Sequence, residues 1–259
     1  MTEPRPELPE GGTEPGDGAQ SQTVRAQMRL RELILGGELE AGSRIAELAL
    51  VERLRMSRTP IRMALVRLHE EGLLELLASG GFSVKAFSEA DVHDALEIRG
   101  TLEGLAARMA AERGVPDALL AQARDCVARI DELLEPEALS EARFDGYVAQ
   151  NERFHRLLAQ MCGSPSVQRQ LARAMMLPFA SPNSFLPLRG RAPDGRRNLL
   201  VAQEQHRAVL EAIARREGAR AEALMREHAR LARGKLSHAM LSRALDQVPG
   251  AALIRPPAG

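Results

Sequence analysis

Ser57-Arg58-Thr59-Pro60-Ile61-Arg62 is the stretch on which the reading of this chain turns. Ser57 suits the N-cap of a helix over Thr59 to Glu71. Pro60 falls in its first turn, where a missing N–H does no harm. Ile61, Leu65 and Leu68 keep helical spacing for a core face. The other faces are basic: from Arg53 to His69 there are five arginines and no acid. The whole chain carries 35 basic and 35 acidic residues, so this excess is local. A helix of this kind can enter the major groove. Its arginines would bond guanine edges, its hydroxyls would reach phosphates or bases, and its N-terminus favours a phosphate. The plainer reading is a solvated, arginine-rich helix of some other small domain.

The flanking sequence argues against the plainer reading. Upstream, a helix from Ser21 carries Val24, Met28, Ile34 and Leu35 until Gly36-Gly37 stops it. Glu40-Ala41-Gly42 reads as a turn, and Ile45 to Arg55 as a second short helix. Downstream, Gly72 ends the third helix. Leu73–Leu77 and Phe82–Ala86 then read as strands around a hairpin tip at Ser79-Gly80-Gly81. Helix, helix, turn, helix and hairpin make a winged helix-turn-helix over residues 21–87.

From Ser88 the pattern changes to long helices with short breaks. Ser88-Glu89-Ala90-Asp91 opens the first in the manner of a capping box. Breaks follow at Gly114 to Pro116, Glu135-Pro136, Gly163-Ser164-Pro165, the Pro-rich stretch 178–194, and Gly218. Six or seven helices and no strands are expected, as an antiparallel bundle over 88–246. The fold class is therefore mainly α: a winged helix-turn-helix followed by an all-α domain. Aromatics are 3% of the chain against 44% hydrophobic residues, which suits helix packing. Residues 1–20, rich in Pro, Gly and acid, are expected to be disordered, and 247–259 to be a loose tail. The two cysteines, Cys126 and Cys162, form no disulfide framework or zinc-finger spacing. With no apolar leader and no membrane span, a cytoplasmic protein without membrane partners is expected.

Three of the six histidines lie on apolar helical faces. His155 shares one with Val148, Asn151, Leu158 and Cys162. His206 lies with Leu199, Ala202, Val209, Leu210 and Ile213, and His228 with Leu224, Met225 and Leu231. A buried imidazole needs a partner, and three in one bundle could share a metal ion. Each alone could equally be a hydrogen-bonded core residue. His69, His93 and His238 do not join the pattern and are expected at the surface. Arg99, on a face with Val92, Ala95, Leu96, Leu102 and Ala106, would take either a carboxylate effector or Glu103 one turn on. Leu177 to Phe185 could cap a pocket, but reads slightly better as a plain interhelical loop.

Residues 34–85 resemble the GntR family of bacterial regulators. The carriers are Ile34, Gly36, Leu39, Gly42, Arg44, Ile45, Leu54, the SRTPIR run at 57–62, Ala64-Leu65, Arg67-Leu68, Glu70 to Leu73, and GGFSV at 80–84. The resemblance implies Ser57, Arg58, Thr59 and Arg62 as DNA contacts, with Ser79-Gly80 near the minor groove or backbone. The family usually has Glu where this chain has Met63, a change expected to matter little for the DNA role.

Residues 88–240 resemble the FCD effector domain of the FadR-type branch. The carriers are Asp94 to Arg99 with Leu102-Glu103, Asn151 to His155, Glu204-Gln205-His206 and Glu227-His228. That resemblance implies a metal on Asn151, His155, His206 and His228, and a carboxylate effector at Arg99, in line with carboxylate-binding members of the family. Metal-binding members usually have Asp at the position of Asn151. Asn can ligate through its carbonyl oxygen but brings no charge, so the histidines could instead hold the effector directly. Zinc, nickel or manganese would each suit the site.

The expected function is a homodimeric regulator, commonly a repressor in this family, on a double-stranded, pseudo-palindromic DNA operator. A dedicated metal sensor is one alternative. A metallohydrolase is another, with Glu152, Glu204 or Glu227 as base. Each of these acids neighbours a site residue in sequence and so points about 100° away from it on a helix. An enzyme is not expected.

Overall fold

The computed structural model describes residues 17–137, 139–184, 195–241 and 250–255. Most of the expected N-terminal tail, together with Phe185, residues 242–249 and 256–259, lies outside them. Helix α1 (Asp17–Leu35) starts four residues before Ser21, within the segment expected to be disordered.

Helices α2 (Glu47–Leu54) and α3 (Arg58–Glu70) follow. Strands β1 (Leu74–Leu76) and β2 (Phe82–Val84) pair antiparallel, with Leu74 opposite Val84. Arg55 turns α2 toward α3 in the left-handed conformation, at φ 52°. Ile45 does not open α2 as expected. Its N–H donates to the Phe82 carbonyl (2.8 Å), and the Val84 N–H donates to the Ser43 carbonyl (2.9 Å). Ile45 is β-branched and buried, which suits a place beside the sheet better than a helix start. At the hairpin tip Gly80 has φ 80° and open space around it, so the backbone conformation, not crowding, asks for glycine. Leu30, Ile34, Ile61, Leu65, Leu68, Leu73 and Val84 close the winged core.

The second domain comprises α4 (Glu89–Arg113), α5 (Asp117–Leu134), α6 (Glu141–Met161), α7 (Pro165–Ala174), α8 (Gly195–Ala214) and α9 (Gly218–Leu241). Ser88 caps α4 reciprocally: its N–H donates to Asp91 Oδ2 (2.7 Å), and its hydroxyl accepts from the Asp91 N–H (3.1 Å). α4 is the central helix, packed on α6, α7, α8 and, over most of its length, α9. Two glycines permit that approach. A Cβ on Gly100 would lie 2.7 Å from Ala229 Cβ, and one on Gly104 2.7 Å from Arg226 Cγ. This close crossing sets Arg99 and Glu103 on α4 deep in the bundle. Among the described residues no helix is long and apolar enough to cross a membrane.

Two segments depart from expectation. Residues 250–255, expected within a loose tail, return to the junction of the domains. Phe87 donates its N–H to the Leu253 carbonyl and accepts from the Arg255 N–H, both at 2.8 Å. Leu253 is wholly buried and Ile254 nearly so, in one apolar cluster with Phe87, Val92, Leu96 and winged-domain residues. Two large aliphatic side chains and a free backbone edge at Phe87 suffice to hold so short a segment. The stretch after Leu177 is also more than a loop. It forms a 3-10 turn (Pro178–Ala180) with Phe179 buried edge-on to Phe87, ring centroids 4.7 Å apart.

Candidate functional sites

On the winged domain, Ser57, Arg58, Thr59 and Arg62 are all exposed around the start of α3. Ser57 occupies the N-cap position but makes no capping bond with its side chain. That start is a positive dipole end with arginines around it, a setting that favours a phosphate. Arg53 is drawn aside into an ion pair with Glu38. Ser79 and Gly80 are exposed at the hairpin tip, where Arg44 Nη2 donates to the Gly80 carbonyl (3.2 Å).

In the helical domain the three histidines singled out by sequence come together. Ligand atoms of His155 on α6, His206 on α8 and His228 on α9 lie within 4.8 Å of one another, all three residues buried. Their Nδ1 atoms face outward to acceptors: Glu103 Oε1 for His155 (2.6 Å), Gln203 Oε1 for His206 (3.1 Å) and Gln205 Oε1 for His228 (3.2 Å). The Gln203 amide is oriented because its Nε2 donates to the Val127 carbonyl (2.8 Å) and to Asp131. Its oxygen must therefore accept, which places the His206 proton on Nδ1. The same logic holds for His155 against the Glu103 carboxylate.

The inner Nε2 atoms of His155 and His206 then each present a lone pair, as does that of His228 if the Gln205 oxygen accepts from its Nδ1–H. Those of His206 and His228 are 3.3 Å apart, and that of His155 is buried without a hydrogen-bond partner. A cation among the three nitrogens would be held by their lone pairs, with His228 in the same tautomer as the other two. Ligands of a tetrahedral ion with bonds of about 2.0 Å stand about 3.3 Å apart. A ring held by its outer nitrogen is the usual posture of a metal-bound histidine. The donor set therefore fits a divalent ion.

Asn151 is buried one turn before His155, and its Nδ2 donates to Asn183 Oδ1 (2.9 Å). Its carbonyl oxygen is the atom that could ligate. Asn183 belongs to the stretch after Leu177 and in turn donates to the Val148 carbonyl (3.2 Å).

Arg99 pairs with Glu103, Nε to Oε2 at 3.4 Å, and its Nη1 donates to the Ala180 carbonyl (3.0 Å). The local pairing weighed from sequence is thus formed. Burial is the largest influence on the Glu103 carboxyl and acts to raise it. The His155 ring and the Arg99 guanidinium together outweigh burial and hold it below its ordinary value. Burial pulls the Arg99 guanidinium down, opposed by Glu103.

In the sequence Glu103 stands as a carrier of the family resemblance and a partner for Arg99. Its contact with His155, 52 residues away on another helix, left no mark in the sequence. The acids weighed as general bases are placed otherwise. Glu152, Glu204 and Glu227 are exposed and face Arg156, Arg207 and Arg230.

A winged helix-turn-helix followed by an all-helical bundle is the architecture of a DNA-binding transcriptional regulator. Comparison with known proteins agrees. The profile of the bacterial regulatory proteins of the gntR family matches residues 22–84, and that of the FCD domain matches 94–231. The chain belongs to the GntR family, in the branch that carries an FCD domain. It is 33% identical over 147 residues to an HTH-type transcriptional regulator in the TAR-I ttuE-ttuC' intergenic region of Agrobacterium vitis, covering 55% of this chain and 83% of that one. It is 26% identical to the HTH-type transcriptional repressor GlaR of Escherichia coli, over 77% and 88% of the two chains. The solved structure of E. coli McbR/YncC matches 84% of this chain and 97% of its own, with a TM-score of 0.58 at 18% identity.

Proposed function

We propose that His155, His206 and His228, with the Asn151 carbonyl oxygen, hold a divalent metal ion, and that a small carboxylate bound there sets operator affinity. The observation that carries this reading is the convergence of three inner imidazole nitrogens whose outer nitrogens are all engaged. When bound, the ion supplies positive charge and open positions for a carboxylate. Zinc, nickel and manganese all suit this donor set. The residues of the chain bind and orient it. Glu103, kept ionised behind His155, provides one negative charge a step further out than an aspartate at position 151 would.

A ligand changes DNA affinity only by favouring one arrangement of the domains. Arg99 offers the link. A carboxylate that recruits Arg99 competes with Glu103 and with the Ala180 carbonyl, and Ala180 adjoins Phe179, which packs on Phe87 beside the winged domain. A homodimer would set two winged domains on the two halves of an operator, in a cytoplasmic setting.

Ser57, Arg58, Thr59, Arg62 and the tip at Ser79-Gly80 make the DNA contacts. Arg62→Ala is expected to weaken operator binding by about 1–3 kcal/mol, roughly 5- to 150-fold, with folding unchanged because the side chain is exposed. Titration of labelled operator at fixed salt checks this; wild-type affinity in the variant would remove α3 from the interface.

A further inference from the structure

The outward face of α3 is not uniformly polar. At about 100° per residue, Thr59, Arg62, Met63, Val66 and Glu70 fall within an arc of about 100°. Met63 is 47% exposed and Val66 37% exposed, although the opposite face of the helix supplies five buried residues to the core. Both stand beside Arg62, midway along the face. Glu70 lies one turn beyond Val66, where an acid would repel a phosphate, and so marks the far end of the usable surface.

Besides donors and acceptors, the major-groove edges of the bases present one protruding apolar group, the C5 methyl of thymine. An apolar pair in the middle of a basic, groove-facing helix matches that group. We propose that Met63 and Val66 are specificity-determining residues, which read thymine methyl groups in each operator half-site. This rests on the reading of α3 as the recognition helix. It gives Met63 a role that the sequence comparison with family members, where glutamate is usual, did not suggest. A glutamate there would instead present an acceptor, suited to the cytosine amino group.

The test uses the full chain. An operator is selected from random duplex DNA with the wild-type protein and resynthesised with each thymine replaced singly by uracil, which deletes only the methyl. Binding is measured at one salt concentration, since phosphate contacts make affinity salt-dependent. The wild type is expected to lose about three- to tenfold at one or two thymines per half-site, on the scale of burying one methyl group. Met63→Ala and Met63→Gln are expected to bind the thymine operator more weakly and to lose nothing further at one of those positions. Val66→Ala should do the same at a neighbouring position.

Indifference of the wild type to every uracil overturns the inference, as does undiminished sensitivity in the Met63 and Val66 variants. Arg62→Ala separates the two levels. If it binds as wild type, the recognition-helix reading fails. If it loses binding while uracil is silent, only the thymine reading fails.

Discussion

Replacing Glu103 with alanine is expected to destabilise the folded chain by about 3–5 kcal/mol, because it strands two buried basic side chains at once. Glu103 is wholly buried, and its partners His155 and Arg99 are each only 2% exposed. Removing the carboxylate leaves the Arg99 guanidinium with the Ala180 carbonyl, and the His155 Nδ1–H without its acceptor. Denaturant unfolding of the full chain measures the loss; a change below about 1 kcal/mol would show that the carboxylate holds neither partner. Glu103→Gln keeps an acceptor for His155 and drops only the charge. It should unfold closer to wild type yet bind metal about 10- to 100-fold more weakly, the usual cost of losing a partner behind a ligand.

Leu253→Ala should cost about 2–5 kcal/mol, as other buried leucine truncations do. Leu253 lies in an apolar cluster shared by the winged domain, α4 and the segment with Phe179. Its carbonyl accepts the Phe87 N–H, so release of residues 250–255 also frees that amide. Hydrogen exchange should show the Phe87 amide losing protection in Leu253→Ala, and more fully in a chain ending at 249. Equal protection in all three would mean that the segment does not bind the junction. α9 carries His228, and residues 250–255 lie against Phe87, between the winged domain and α4.

The two halves of the molecule were unequally legible. The winged domain was read from local signals: the SRTPIR run, the Gly72 stop and the Gly80-Gly81 tip each act within a few residues. The Ile45 misreading came from a helical-looking run that the neighbouring strand claimed instead. The histidines were legible because three imidazoles on apolar faces of one bundle have few ways to be satisfied. Their outer partners were less so. Gln203 and Gln205 lie within three residues of His206 in the sequence, but only the folded bundle turns one toward His206 and the other toward His228. Glu103 reaches His155 where α4 packs on α6, a contact that exists only in the folded bundle. Residues 250–255 gave no signal beyond Leu253 and Ile254, two apolar residues in a stretch of Pro, Ala and Gly.

The most direct test is a titration of operator affinity on metal-analysed full-length protein, against free zinc, nickel or manganese, with and without small carboxylates. Some carboxylate is expected to shift operator affinity only when the metal is present, and His206→Ala to abolish the shift while leaving metal-free operator binding intact. A shift produced by metal alone would make the ion the signal. Operator affinity indifferent to both metal and carboxylate would contradict the account.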